Sequence, residues 1–131
     1  MIAPDWSRMS TARRIAEAIG APVGWGIACG LLLAVSAPLY IVGALMGVLG
    51  GIAGGTQHAM LRGAMARATT GGTLFGLAIL LGYALSGGEG AEVELPHPEI
   101  LLVTFTLVPA FPLHWLGWRL ARARRGPASA T

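Results

Sequence analysis

The feature that most constrains the fold is a long stretch without charge. Residues 18–61, between Glu17 and Arg62, contain no charged side chain. A single helix over these residues would be about 66 Å long at about 1.5 Å per residue, whereas the hydrocarbon core of a bilayer is about 30 Å thick. The stretch must therefore cross a membrane twice. Ser36-Ala37-Pro38 is the best place for the turn, because proline lacks an amide donor and disfavours helix in the residue before it.

Composition supports the same class of protein. Apolar residues make up 54% of the 131 residues and charged residues only 11%, against roughly 25% charged in soluble domains. So few charges cannot cover a water-facing surface. We predict an all-α polytopic membrane protein with four transmembrane helices arranged as two hairpins. The expected helices are 18–36, 38–60, 69–86 and 99–120.

The two ends of the chain differ from this transmembrane region, 18–120. Residues 1–17 form an N-terminal segment, and 4–19 can fold as a short amphipathic helix at the membrane surface, although an irregular tail fits equally well. The apolar region is too long for a signal peptide, so we expect no cleavage. Residues 121–131 form a basic tail.

The basic residues predict the orientation. All of them are Arg, and four helices place every one on the same side of the membrane as the termini. The opposite side receives the turn at Pro38 and the acidic loop 87–99. Cytoplasmic loops are enriched in basic residues, so we expect a bacterial inner (cytoplasmic) membrane protein with both termini cytoplasmic. The residues on the inner side are Arg8, Arg13, Arg14, Arg62, Arg67, Arg119, Arg122, Arg124 and Arg125.

Glycines recur along the second predicted helix. Residues four apart share one helix face, and small residues allow helices to approach closely in lipid. This face predicts a helix-packing interface, either within the chain, against the first or third helix, or with a second copy or a partner subunit. The glycines are Gly43, Gly47, Gly50, Gly51, Gly54 and Gly55.

The end of this helix carries a resemblance. The glycine repeat from Gly43 leads into Gly55-Thr-Gln57-His58-Ala-Met-Leu61-Arg62. It resembles small bacterial multi-pass membrane proteins with glycine-repeat helices and a Gly-x-x-Gln-Trp-x-x-Leu-Arg-like signature, although His58 stands where Trp is usual. The similarity covers roughly 18–90. It implies a membrane architecture and carries no established activity.

Several polar and aromatic side chains are candidate site residues. His58 and His114 lie near the inner ends of two helices, where imidazoles can ligate a haem iron or another metal, relay protons, or simply bind headgroups and backbone carbonyls. Gln57 is a candidate polar contact between helices. Pro109 and Pro112 should kink the fourth helix. We expect an interfacial anchor formed by Trp115, Trp118 and Arg119.

No catalytic signature accompanies these residues. The sequence has no phosphate-binding glycine loop, nucleophile elbow or metalloprotease motif, and we expect no ionisable Asp, Glu or Arg at the bilayer centre. We therefore predict a non-enzymatic protein without metal, cofactor or nucleic-acid partner. It would act through helix packing, as a small homo-oligomer or an accessory subunit of a membrane complex. The alternatives are a small transporter or channel component and a haem-binding anchor.

Overall fold

Four long helices form the architecture. A computed structural model describes residues 5–88 and 93–126. Each helix is long and apolar enough to cross a membrane, so the all-α fold and the four spanning segments are confirmed. The chain is a multi-pass membrane protein. The helices are α1 (Thr11–Val35), α2 (Ala37–Thr56), α3 (Leu61–Leu85) and α4 (Leu101–Arg125).

The predicted turn between α1 and α2 is confirmed. Ser36 adopts an extended conformation, with φ −162° and ψ 120°, and separates the two helices by a single residue. Pro38 occupies the first turn of α2, where its missing amide hydrogen costs no intrahelical bond. The break therefore lies directly before a position where proline favours the start of a helix.

The N-terminal segment 4–19, for which the sequence allows a short helix or an irregular tail, is divided in two within its described residues, 5–19. A 3₁₀ turn, Trp6–Arg8, is followed by extended backbone at Ser10, the residue that caps α1. The Ser10 hydroxyl accepts a hydrogen bond from the Arg13 amide at 3.3 Å, as expected of a serine at a helix N-cap. α1 then continues through one π-helical stretch, Ala16–Gly20, into its apolar part.

Two helices extend beyond the apolar limits predicted for them. α3 begins at Leu61, about two turns before the predicted start at residue 69, and α4 continues past residue 120 to Arg125. Hydropathy ends at the first arginine, but arginine has a high helix propensity, so the backbone stays helical. Arg62 and Arg67 consequently lie on α3 instead of in a connection.

α3 is the central helix of the bundle. Its most extensive contacts are with α1 and α4, and α4 also packs on α2, whereas α1 and α2 touch less although they are consecutive. Glycines line the closest approaches. A Cβ on Gly30 of α1 would collide with the Ile79 carbonyl of α3, and a Cβ on Gly117 of α4 would collide with the Ile52 carbonyl of α2. Small residues thus determine how near the helices come.

One end of the bundle holds the start of α1, the loop 57–60 and the end of α4, and we call it the basic end. Three hydrogen bonds to backbone carbonyls tie these parts together, donated by the Trp6 amide to Gln57 (2.9 Å), by Trp118 Nε1 to Ala59 (3.2 Å) and by an Arg125 guanidinium nitrogen to Thr56 (3.2 Å). Residues 87–88 and 93–99 of the acidic loop lie at the other end. Residues 89–92 of the loop fall outside the described part of the chain, as do 127–131 of the tail.

Candidate functional site

The glycine face of α2 is turned towards the other helices of the same chain. A Cβ on Gly43 would lie 3.1 Å from Cys29 Sγ of α1, and one on Gly47 would lie 2.9 Å from the Phe75 ring of α3. Gly50 alone among the six candidates has nothing within 4 Å of an added Cβ. The other five therefore contact neighbours inside the monomer.

His114 fills the space that the C-terminal half of this glycine face leaves open. Its ring lies against Gly51 and Gly54, with Nε2 3.0 Å from the position of a Cβ on Gly54. Nδ1 lies 2.9 Å from the Ala110 carbonyl, and the side chain is buried. Because the ring is packed directly on α2, its α2 side has no gap for a planar macrocycle.

His58 belongs to the loop 57–60 and is also buried. Its ring lies beside Trp6, with 5.1 Å between the ring centroids. Burial lowers the pKa of His58 from its usual 6.5, and the positive charges of Arg67 and His114 lower it further, while Asp5 opposes them. The imidazole is therefore neutral at neutral pH. Its Nε2 has no hydrogen-bond partner among the described residues.

Gln57 joins the loop to α1. Its Nε2 donates to Glu17 Oε2 at 2.5 Å, and the other carboxylate oxygen of Glu17 accepts from Arg13 Nε at 2.9 Å. The predicted role of Gln57 as a polar contact between helices corresponds to this bond. Its Oε1 is buried without a partner in the described part of the chain.

Arg67, like Glu17 and Trp6, belongs to the polar cluster around Gln57 and His58 but was not predicted as a site residue. It reaches from α3 towards α1, where one guanidinium nitrogen, Nη2, donates to the backbone carbonyl of Glu17. The Trp6 ring covers the guanidinium, with 5.6 Å from Cζ to the ring centroid. The available signal was the helix boundary, because a helix starting at Leu61 places Gly63, Arg67 and Thr70 on one side.

A pocket of about 410 Å³ lies beside this cluster at the basic end. Its wall is mostly apolar and includes several alanines and Met60. A small number of residues supply its polar groups. These include Asp5, His58, Arg67 and Thr70. The pocket thus combines an apolar wall with a guanidinium and an imidazole.

The predicted anchor residues lie at the same end of α4. The Arg119 guanidinium lies over the Trp115 ring at 5.1 Å, and Arg122 lies over Trp118 at 5.4 Å. Trp118 also binds the loop through its hydrogen bond to Ala59. Pro109 and Pro112 are both exposed, so they lie on the outer surface of the bundle and not between its helices.

These observations define a four-helix membrane protein with a polar cluster and a pocket at its basic end. No group of three or more His, Cys, Asp or Glu side chains in residues 5–88 and 93–126 is placed to hold a metal ion. No known protein family, no curated protein and no solved structure matches the chain. The site must therefore be interpreted from the chain's own residues.

Proposed function

We propose that the chain is a non-enzymatic membrane protein that acts through helix packing, as a small homo-oligomer or as an accessory subunit of a membrane complex. The observation that carries this proposal is an outward-facing pair of glycines on α1. Gly20 and Gly24 are exposed, and an added Cβ at either would meet nothing within 4 Å. Two glycines four residues apart allow another helix to approach closely in lipid.

The glycine face of α2, which the sequence pattern allows as a site of assembly, is not open to a second chain. Five of its glycines are already in contact with α1, α3 or α4. A second chain could reach them only by displacing those helices. The free glycine pair of α1 is continued by half-buried Ala28 and then by exposed Leu31, so a second helix would meet small residues near the basic end and a larger one further along.

The test is the oligomeric state of Gly24→Leu against a matched control, Gly50→Leu. Both glycines are exposed within spanning helices and neither has a neighbour within 4 Å, so the two changes add the same side chain in the same kind of surroundings. Light scattering of the purified protein in mild detergent, and energy transfer between labelled copies in liposomes, would measure assembly. We expect an oligomer that Gly24→Leu dissociates and Gly50→Leu leaves intact.

A monomeric wild-type chain in both assays would refute the homo-oligomer. The accessory-subunit form then predicts a stoichiometric membrane partner that co-purifies in mild detergent and is lost in Gly24→Leu. If neither self-association nor such a partner is found, or if both variants behave alike, the α1 face is only lipid-exposed and the proposal fails.

A further inference from the structure

We propose that the pocket at the basic end binds a phosphate-bearing anion, with Arg67 and His58 as its ligands. The first reason is the hydrogen bonding of Arg67. A guanidinium has five N–H donors, and here Nη2 has an acceptor. Nε and Nη1 are both buried without a hydrogen-bond partner among the described residues. Unsatisfied buried donors on a charged group are costly.

The second reason is that no carboxylate in the described residues forms an ion pair with this guanidinium, although the charge of Glu17 acts on it from nearby. The one ion pair in the described part of the chain joins Arg13 to Glu17. Arg67 donates only to the backbone carbonyl of Glu17, because the two carboxylate oxygens of Glu17 accept hydrogen bonds from Arg13 and Gln57. Buried charges in proteins are normally paired directly, and an anion from outside the chain would supply the direct partner that Arg67 lacks.

The third reason is the second donor beside it. His58 is only 8% exposed, and its Nε2 also lacks a hydrogen-bond partner among the described residues. Arg67 and His58 both line the pocket. Guanidinium groups bind phosphate oxygens strongly. Nε and Nη1 of Arg67 lie on different edges of the guanidinium and each has a free N–H, and an imidazole N–H can donate to a further oxygen.

The structure also identifies how the anion would enter. The Trp6 ring lies over Arg67 and beside His58, and both unpaired groups are closed off from solvent. The 3₁₀ turn that carries Trp6 is held by two hydrogen bonds: the Trp6 amide donates to the Gln57 carbonyl, and the Arg14 side chain donates to the Trp6 carbonyl at 3.0 Å. Binding therefore requires the Trp6 side chain to turn aside while its backbone stays in place.

One group in the pocket opposes an anion. Asp5 lines the pocket and its negative charge repels phosphate. Its carboxylate caps the 3₁₀ turn by accepting from the Ser7 amide at 3.0 Å, a bond that asparagine can also make. Asp5→Asn should therefore strengthen binding without removing the cap.

The experiment is a titration of the full chain in phosphate-free maltoside micelles. The probes are short-chain phosphatidylglycerol, inorganic phosphate and, as a control, the matching diacylglycerol without phosphate. Tryptophan fluorescence reports binding, and Trp6→Phe shows which part of the signal belongs to Trp6. We expect saturable binding of phosphatidylglycerol with a Trp6-dependent signal, and none of diacylglycerol.

The variants distinguish this site from general attraction to a basic protein. We expect Arg67→Gln to weaken binding about tenfold or more, since a charge-assisted bond is lost, and Asp5→Asn to strengthen it. Arg122→Gln, which removes an exposed arginine at the same end, should leave it unchanged. Because Arg67→Gln could unfold the chain, its helicity is compared with wild type, and His58→Gln serves as a second variant with a smaller expected loss.

Each outcome decides the proposal. Binding of both phosphatidylglycerol and inorganic phosphate supports a general phosphate site, and binding of the lipid alone supports a headgroup site that needs the apolar wall. The proposal is overturned if neither binds, if diacylglycerol binds equally well, or if folded Arg67→Gln and His58→Gln variants both bind as wild type does.

Discussion

The contact between α2 and α4 is the sharpest place to test the packing, because a single methyl group at Gly117 meets backbone there. A Cβ on this residue would collide with the Ile52 carbonyl oxygen and would lie 3.2 Å from Gly55 Cα. Backbone atoms cannot rotate aside as a side chain does. Gly117→Ala must therefore push α4 away from α2 where the two helices touch.

The expected loss follows from two opposing effects. Overpacking a well-packed interior costs about 1–3 kcal/mol, while alanine in place of glycine favours a helix by about 1 kcal/mol. Gly50→Ala is the matched control, since it brings the same gain in propensity and its Cβ meets nothing within 4 Å. We expect Gly117→Ala to be less stable than Gly50→Ala by about 1–3 kcal/mol.

The assay is reversible unfolding in mixed micelles, with far-ultraviolet circular dichroism as the readout of helix content. The difference between the two variants removes the propensity effect that they share. Equal stability, within about 0.5 kcal/mol for such measurements, would show that α4 does not approach α2 closely at Gly117. The same result would also remove the basis for the enclosed position of His114.

Two further predictions concern the basic end. The pKa of His58 lies below its usual 6.5 because of burial and of the nearby charges of Arg67 and His114. The unfolded imidazole therefore takes up its proton first, and stability should fall as the pH drops below 6.5 towards the folded-state pKa. His58→Gln should reduce this fall in pH-dependent unfolding, and equal pH profiles for the two proteins would contradict the prediction. The arginine distribution predicts that reporter fusions after Ala59 and Arg125 lie inside the cell and a fusion after Ser86 outside, and an outside signal at Ala59 would overturn the orientation.

The number of helices could be predicted because it depends on properties that the sequence states directly. The uncharged stretch is too long for one crossing, and proline is favoured in the first turn of a helix, as at Pro38, but costs a hydrogen bond further in. Helix ends were harder to predict. α3 begins at Leu61 and not at residue 69, since hydropathy marks where lipid contact ends and not where helical hydrogen bonding ends.

The polar cluster could be predicted only in part, for the same reason. Gln57 and His58 stand out as polar residues after an apolar helix, but Arg67 looks like an ordinary flanking charge until its helical position is known. Glu17 and Trp6 are far away in sequence and reach the cluster through tertiary packing. The glycine pattern shows a similar limit, because it reveals a flat face on α2 but not that α1, α3 and α4 of the same chain fill it.

The contact between α2 and α4 is connected to the polar cluster through the end of α2. Gly55 lies against the backbone of His114, and the loop with Gln57 and His58 follows it directly. The loop is then fixed at two further points, by the Trp118 bond to Ala59 and the Trp6 bond to Gln57. A backbone held so closely on both sides limits how far the loop can move towards Arg67. The proposed anion site therefore depends on the glycine contacts, because a rearrangement that paired Arg67 and His58 inside the chain would have to displace both the loop and the bundle.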